Sequence, residues 1–226
     1  MIGVFANTVL VVVGSLLGLL LRRGIPQNIK RIIMVGLGLF TCVLGIKMGL
    51  EMERALVVVL SLVVGGVLGE LLKIEGFLEG LGTKLKGVVK AHNDTSFAQG
   101  FVTASLLFCV GPMTILGSLQ AGLENNPELL FVKSLMDGVS AIILCSTIGI
   151  GVIFSALIVL LYQGFLVLLA QQLQFLTDPL YLNDFTSVGG MLVLAIGLKL
   201  LDIKQLKVAN FLPALVLVIL FTFLFR

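Results

Sequence analysis

Residues 3–21 read GVFANTVLVVVGSLLGLLL, a run without a charged side chain that is followed at once by Arg22 and Arg23. A hydrocarbon core about 30 Å thick takes roughly 20 apolar helical residues to cross. The run meets that length and is apolar all round, which excludes a surface helix of a soluble domain. It is not read as a cleaved leader, because Met1 to Phe5 carries no basic residue and the basic pair follows the apolar run. That order marks a retained helix with its N-terminus outside. Stretches 32–50, 55–72, 97–119, 131–150, 152–173, 186–202 and 208–225 repeat the pattern. With 58% apolar and 12% charged residues, the chain reads as an all-α polytopic membrane protein with about eight transmembrane helices.

Basic residues orient such a chain. Arg22, Arg23, Lys30 and Arg31 follow the first stretch, Lys73, Lys84, Lys86 and Lys90 the third, and Lys204 and Lys207 the seventh. Eight crossings put all of these on the cytoplasmic side and both termini outside, whereas seven crossings would strand one group. The outer side then holds Arg54 and Arg226, Lys133 at a helix end, and Glu51, Glu53, Glu124, Glu128, Asp178 and Asp184. Cys42, Cys109 and Cys145 all lie inside apolar runs and read as small buried hydrophobes rather than as a disulfide framework. A net charge of +3 gives no reason to expect a nucleic-acid partner; the partner expected is the lipid bilayer.

The whole of 1–226 reads as a single transmembrane domain, with 73–96 as its one sizeable soluble connection. Gly76 to Val89 places Leu78, Leu81, Leu85 and Val88 at helical spacing, with Lys84, Lys86 and Lys90 elsewhere. It reads as an amphipathic helix on the anionic inner leaflet, or as an ordinary solvated linker helix. Pro26, Pro127 and Pro179 fall in connections, where proline is at home. Two segments look alike: Gly45-Ile-Lys47-Met-Gly-Leu-Glu-Met and Gly197-Leu-Lys199-Leu-Leu-Asp-Ile-Lys, each leading into another apolar helix. They end crossings an odd number apart, which is the sequence sign of inverted repeats.

The fourth crossing is interrupted by Gly111-Pro112, giving one broken helix. Proline removes a backbone donor and clashes with the carbonyl four residues earlier. The carbonyls of Phe108 and Cys109 then need other partners, found only inside protein or along a wet cavity. Thr103, Ser105, Thr114 and Ser118 flank the break. They line a polar path in one reading and repair a simple kink in the other.

The fifth crossing carries Asp137, which costs about 2.5–3.5 kcal/mol near the membrane centre and should therefore face a partner in the bundle interior. Lys133 stands at the i,i+4 spacing that allows pairing. Ser140 and Thr147 continue the Asp137 face, and Ser134, Gly138, Ala141 and Cys145 form a small-residue stripe suited to close helix approach. Asp137 is a cation or proton site in the functional reading and half of a self-neutralising pair in the plain one.

Asn7 and Thr8 are further polar candidates, as are Asp184 and Thr186. Asn183 and Asp184 read as helix caps, Lys47 and Lys199 as snorkelling anchors, Glu70 as a partner of Lys73, and His92 as a solvated surface residue. Gly14 with Gly18, Gly45 with Gly49, and Ser61-Gly65-Gly69 read as packing faces. No phosphate loop, no metal-ligand spacing and no nucleophile–base pair is present in the sequence, so neither an enzyme nor a cofactor is expected.

The segments CVGPMTILGSLQAGL (109–123), KSLMDGVSAIILCSTIGIGV (133–152), DFTSVGGMLVLAIGLKLL (184–201) and GVFANTVLVVVGSLLGLLLRRGIP (3–26) resemble the YqgA/YdfK family of bacterial inner-membrane proteins, also called domain of unknown function 554. The likeness covers nearly the whole chain. It implies a prokaryotic inner-membrane location and carries an old suggestion of a sodium channel or pump, with no catalytic residues to transfer. The residues themselves lead to a small-solute or monovalent-cation (Na+ or H+) transporter or channel. Its ion-binding candidates are Asp137, Lys133, Cys109, Gly111, Pro112, Thr103, Ser105, Thr114, Ser140 and Asn7. A homo-oligomer, specifically a dimer, is expected because one subunit is thin and small-residue faces abound. The alternative is a non-transporting scaffold or partner protein of the same membrane.

Overall fold

A computed structural model of the chain describes residues 1–22, 24–88 and 96–225. The expectations that fall on Arg23, Val89, Lys90, His92 and Arg226, and on the side chains of Leu81, Leu85, Lys86 and Val88, lie outside what is described. Every regular element among the described residues is helical. The helices are α1 (Ile2–Arg22), α2 (Gln27–Gly49), α3 (Ala55–Leu71), α4 (Ile74–Val88), α5 (Phe97–Cys109), α6 (Pro112–Leu123), α7 (Glu128–Thr147), α8 (Ser155–Leu168), α9 (Pro179–Leu200) and α10 (Leu212–Leu224). Short 3-10 turns lead into α8 and α10.

Among the described residues, five helices, the one at 150–168 counted with its 3-10 start, are long and apolar enough to cross a membrane, and up to seven spans result if each of two bent pairs is one span. The apolar helix Val208–Leu224 is shorter. The expected interruption of the fourth stretch is the bent pair α5–α6, turned by 59°. A second bend, of 53°, separates α3 from the start of α4 at Lys73, whose φ is 52°. The helix expected at Gly76 to Val89 falls on α4, described as far as Val88.

The seventh stretch begins earlier than its apolar pattern, at Pro179. Proline at the first helical position sacrifices a donor that has no partner there anyway, and the Asp178 side chain caps the helix by accepting from the Leu180 N–H at 3.0 Å. Such local chemistry outweighs the polar run Tyr181–Asp184 that seemed to delay the start.

The chain divides into two compact units: Met1–Ile33 with Glu79–Gln174, and Met34–Leu78 with Phe175–Arg226. In the first, α1 lies along α7 with glycine at the seam. A Cβ added to Gly3 would meet Leu130, one on Gly14 would strike the Gly138 carbonyl, and one on Gly18 would strike that of Ile142. The numbers rise together, so the two helices run parallel. In the second unit α2 and α9 run antiparallel, and their contacts come in reciprocal pairs. Gly45 meets Leu194 as Gly197 meets Cys42, and Gly38 meets Leu201 as Gly190 meets Gly49. A single shift of numbering, the one that puts Lys47 on Lys199, exchanges the members of each pair. The look-alike segments thus lie on one antiparallel pair, the orientation that an odd crossing separation requires. Likewise α3 packs antiparallel to the last part of the chain, Gly65 against Ala214 and Gly69 against Asn210.

Backbone-to-backbone contact at these glycines leaves no room for a side chain. Gly14→Val and Gly45→Val should each cost about 1–3 kcal/mol through overpacking, read as a clear drop of the melting temperature in detergent. Gly36→Val is the control, because a Cβ at Gly36 meets nothing within 4 Å, and its melting temperature should be unchanged.

Candidate functional site

The α5–α6 break is built from two extended residues. Val110 (φ −91°, ψ 103°) ends α5 and Gly111 (φ 167°, ψ 152°) precedes α6, whose first residue is Pro112. The Val110 N–H still donates to the Leu106 carbonyl at 2.8 Å, and α6 restarts with the Thr114 N–H on the Gly111 carbonyl at 3.1 Å. Of the two carbonyls expected to be freed, that of Phe108 accepts from the Thr114 hydroxyl at 3.1 Å. Thr114 is therefore a repair group within the kink. Thr103 and Ser105 are buried on α5, as is Ser118 on α6. The hydroxyls of Ser105 and Ser118 have no hydrogen-bond partner among the described residues.

On α7, Asp137 is 7% exposed and Lys133 is 6% exposed. The Lys133 ammonium pairs with Asp137 Oδ2, and Asn7 Nδ2 of α1 donates to the same oxygen at 3.0 Å. The small-residue seam explains the third member. Only because α1 and α7 touch at Gly14 and Gly138 does a short amide on α1 reach a carboxylate on α7. Asn7 Oδ1 is buried and has no partner among the described residues. Ser134, expected in the stripe beside Asp137, donates to the Leu130 carbonyl at 2.6 Å. Ser140 is half-buried on α7.

The break and the ion pair are brought together. Gly117 of α6 packs on Leu130 of α7, and the two helices are joined by a short turn. Stepping back along α6 to Gly111 therefore moves in the same sense as stepping forward along α7 to Asp137. Cys109, the last residue of α5, lies within electrostatic reach of both Lys133 and Asp137. What results is a buried carboxylate with one cation and one amide on it, beside a helix end whose backbone is extended. No group of His, Cys, Asp and Glu able to hold a metal ion occurs among the described residues.

Several polar residues have other partners than their sequence positions indicated. Asp184 does not cap α9; it is fully buried and binds Arg54 (Nη2–Oδ2 2.8 Å, Nε–Oδ2 3.0 Å) and the Thr222 hydroxyl at 3.1 Å. Asn183 likewise reaches Glu53, at 2.6 Å. Lys199 does not merely snorkel: it pairs with Glu75 at 3.2 Å, and Glu75 also accepts from the Ala209 N–H at 2.8 Å. Glu70 pairs with Lys207 at 2.7 Å rather than with Lys73 and accepts from Asn210 at 2.6 Å. Lys47 remains exposed, as an anchor would.

Among the buried polar residues of the first unit that sequence reasoning missed is Gln163. It is fully buried on α8, and neither amide atom has a hydrogen-bond partner among the described residues. The signal was available, since a lone amide inside an apolar helix pays the same kind of desolvation cost that singles out Asp137.

The ion pair generates a stability prediction. Lys133→Met strands a buried carboxylate and should lose about 3–5 kcal/mol, seen as a lower melting temperature in detergent. Adding Asp137→Asn should recover most of that loss, because the pair then vanishes from both sides of the balance.

Comparison with known proteins follows the same outline. The family model described as "Protein of unknown function (DUF554)" matches residues 2–223. The Bacillus subtilis (strain 168) protein named "Uncharacterized membrane protein YdfK" is 32% identical over 221 residues, spanning 96% of this chain and 93% of that protein. The Escherichia coli (strain K12) "Uncharacterized protein YqgA" is 33% identical over 226 residues, spanning 96% and 94%. No solved structure matches. With the family model spanning almost the whole chain and two relatives above 30% identity, this helical membrane protein belongs to the DUF554 family.

Proposed function

We propose that the chain is a transporter or channel for a monovalent cation or small solute, with Asp137 as the charged group and the Gly111-Pro112 break beside it as part of the pathway. One observation carries the reading. A membrane helix interrupted at Val110–Gly111 ends within electrostatic reach of a buried Lys133–Asp137 pair that also holds Asn7. Intramembrane ionisable residues face the bundle interior and mark ion pathways and proton relays, and discontinuous helices line substrate sites. Binding of a proton or sodium ion at Asp137 would bias one face of the bundle to open. The outer acidic loops would concentrate cations mildly.

The protein lies in this reading in the bacterial inner membrane with both termini outside, assembles as a homodimer, and needs neither a cofactor nor a catalytic step. The scaffold reading keeps a specific support of its own. Lys133 neutralises Asp137 and Thr114 repairs the Phe108 carbonyl, as a purely structural core would require.

Flux decides between them. Purified protein in liposomes is assayed for sodium, potassium and proton movement, with Asp137→Asn as the comparison. The expected result is protein-dependent flux that falls at least tenfold in the variant. Unchanged flux in Asp137→Asn would take that residue out of the mechanism, and absence of flux with every ion would leave the scaffold role.

A further inference from the structure

A buried polar atom without a hydrogen bond is costly, and in native proteins each such atom calls for an explanation. Gln163 on α8 makes the largest demand, because it is fully buried and both its amide oxygen and its amide nitrogen lack a partner among the described residues. On α6 the Ser118 hydroxyl, also fully buried, is in the same condition. In a membrane helix bundle neither group has bulk water to turn to.

Contacts on either side of each residue fix where the two groups stand. Val4 of α1, Ala121 of α6, Leu130 of α7 and Val167 of α8 meet in one apolar cluster, and Leu160 of α8 packs against it. Leu160 precedes Gln163 by three residues and Val167 follows it by four, so all three share one face of α8. Ser118 is bracketed in the same way, since a Cβ at Gly117 would meet Leu130 at 3.1 Å and Ala121 belongs to the cluster. One turn beyond Ser118, a Cβ at Gly122 would strike the Val167 carbonyl and Ala170. Ser118 therefore stands one turn before Gly122, and Gln163 one turn before Val167, where α6 and α8 end side by side. The two groups face one seam at one level and do not bond each other.

We infer that Ser118 and Gln163 hold bound water in the seam between α6 and α8. The donor set selects water. The amide offers two N–H donors and an acceptor oxygen, and the hydroxyl offers one donor with its own lone pairs. An internal water makes roughly three hydrogen bonds to such groups and joins polar groups that stand too far apart to bond directly. Both side chains are neutral, so a bare ion would find no countercharge on them.

This water has a definite place in the fold. Ser118 follows Thr114 by one turn of α6 and Gly111 by two. Tyr162, next to Gln163 in the chain, lies within electrostatic reach of Cys109 at the end of α5. The hydrated seam therefore lies between the α5–α6 break and the turn at 124–127, and Ala121, Gly122 and Val167 close it toward that turn. In the transport reading it is a wet limb of the pathway, but its hydration does not require Asp137 to bind an ion.

The test compares melting temperatures of the full-length protein in detergent for Gln163→Leu, Ser118→Ala and the double variant. A water shared by the two groups is lost with either of them. Each single variant should then melt about 2–4 °C lower, and the double variant about as low as the worse single rather than by the sum. In a dry seam each substitution removes an unpaired buried group and raises the melting temperature. A rise or no change in either single variant, or an additive drop in the double, overturns the inference. Ser118→Cys gives a readout that stands even where Gln163→Leu is too unstable to purify. The thiolate is the reactive form of cysteine, and dry apolar surroundings suppress it. The introduced thiol should react with methyl methanethiosulfonate at least tenfold faster than native Cys145, which is also fully buried, with adducts assigned by peptide mass spectrometry. Reaction no faster than that of Cys145 overturns the inference as well. Flux is measured separately, so a dry seam leaves the Asp137 reading standing, and a protein without flux leaves the hydrated seam standing.

Discussion

Backbone meets backbone where α1 crosses α7, and the polar centre of the first unit depends on that closeness. With Gly14 against the Gly138 carbonyl and Gly18 against that of Ile142, the axes approach far enough for an asparagine to reach across. In a bilayer, lipid tails are as apolar as leucine, so helices associate through close packing and interhelical hydrogen bonds rather than by hiding from water. Seam and hydrogen bond then support each other. The glycines allow Asn7 to reach Asp137, and the Asn7–Asp137 bond gives the seam a fixed register. Asp137 is tolerated in the membrane because two neighbours from two directions compensate it.

The second unit solves the same problem at the ends of α3. Ahead of its first turn, Arg54 gathers the Asp184 carboxylate and, through it, Thr222. Beyond its last turn, Glu75 collects Lys199 and the Ala209 N–H, and its own N–H donates to the Asn210 side chain at 2.7 Å. Each cluster ties together α9, the region of α10 and an end of α3. Between them the reciprocal glycine contacts of α2 and α9 form the middle of the unit. Charge stays at the helix ends here, whereas in the first unit it sits inside a helix. That difference is why the candidate site belongs to the first unit.

Much of this was legible in the residue string, for physical reasons. An apolar run of about 20 residues has one stable fate in a bilayer, so the helical class followed from Gly3–Leu21 and its counterparts. Proline after glycine broke the fourth crossing where steric rules say it must. The i,i+4 spacing of Lys133 and Asp137 required no tertiary knowledge, because a helix alone brings such residues together. The likeness between the Gly45 and Gly197 segments falls on two helices whose glycines meet reciprocally across an antiparallel pair. By contrast, the partners of Glu70, Glu75, Asp184 and Lys199 were not legible, since each lies more than a hundred residues away along the chain.

What the sequence determined by itself was therefore one-dimensional chemistry, though not that Asp184 is more buried than Asp137: which stretches are helical and apolar, where a helix must break, and which opposite charges stand one turn apart on one helix. Periodicity and spacing carry that information, because they act within a few turns of one helix. Only the tertiary structure decided that Asn7 rather than Thr8 meets Asp137 and that Thr114 repairs the break. It also decided that Asp184 is an ion-pair partner instead of a cap, and that Gln163 is fully buried. These outcomes depend on which face of each helix turns toward a neighbour. In a chain apolar on nearly every side, hydrophobic pattern alone does not choose that face; glycine seams and long-range polar bonds do.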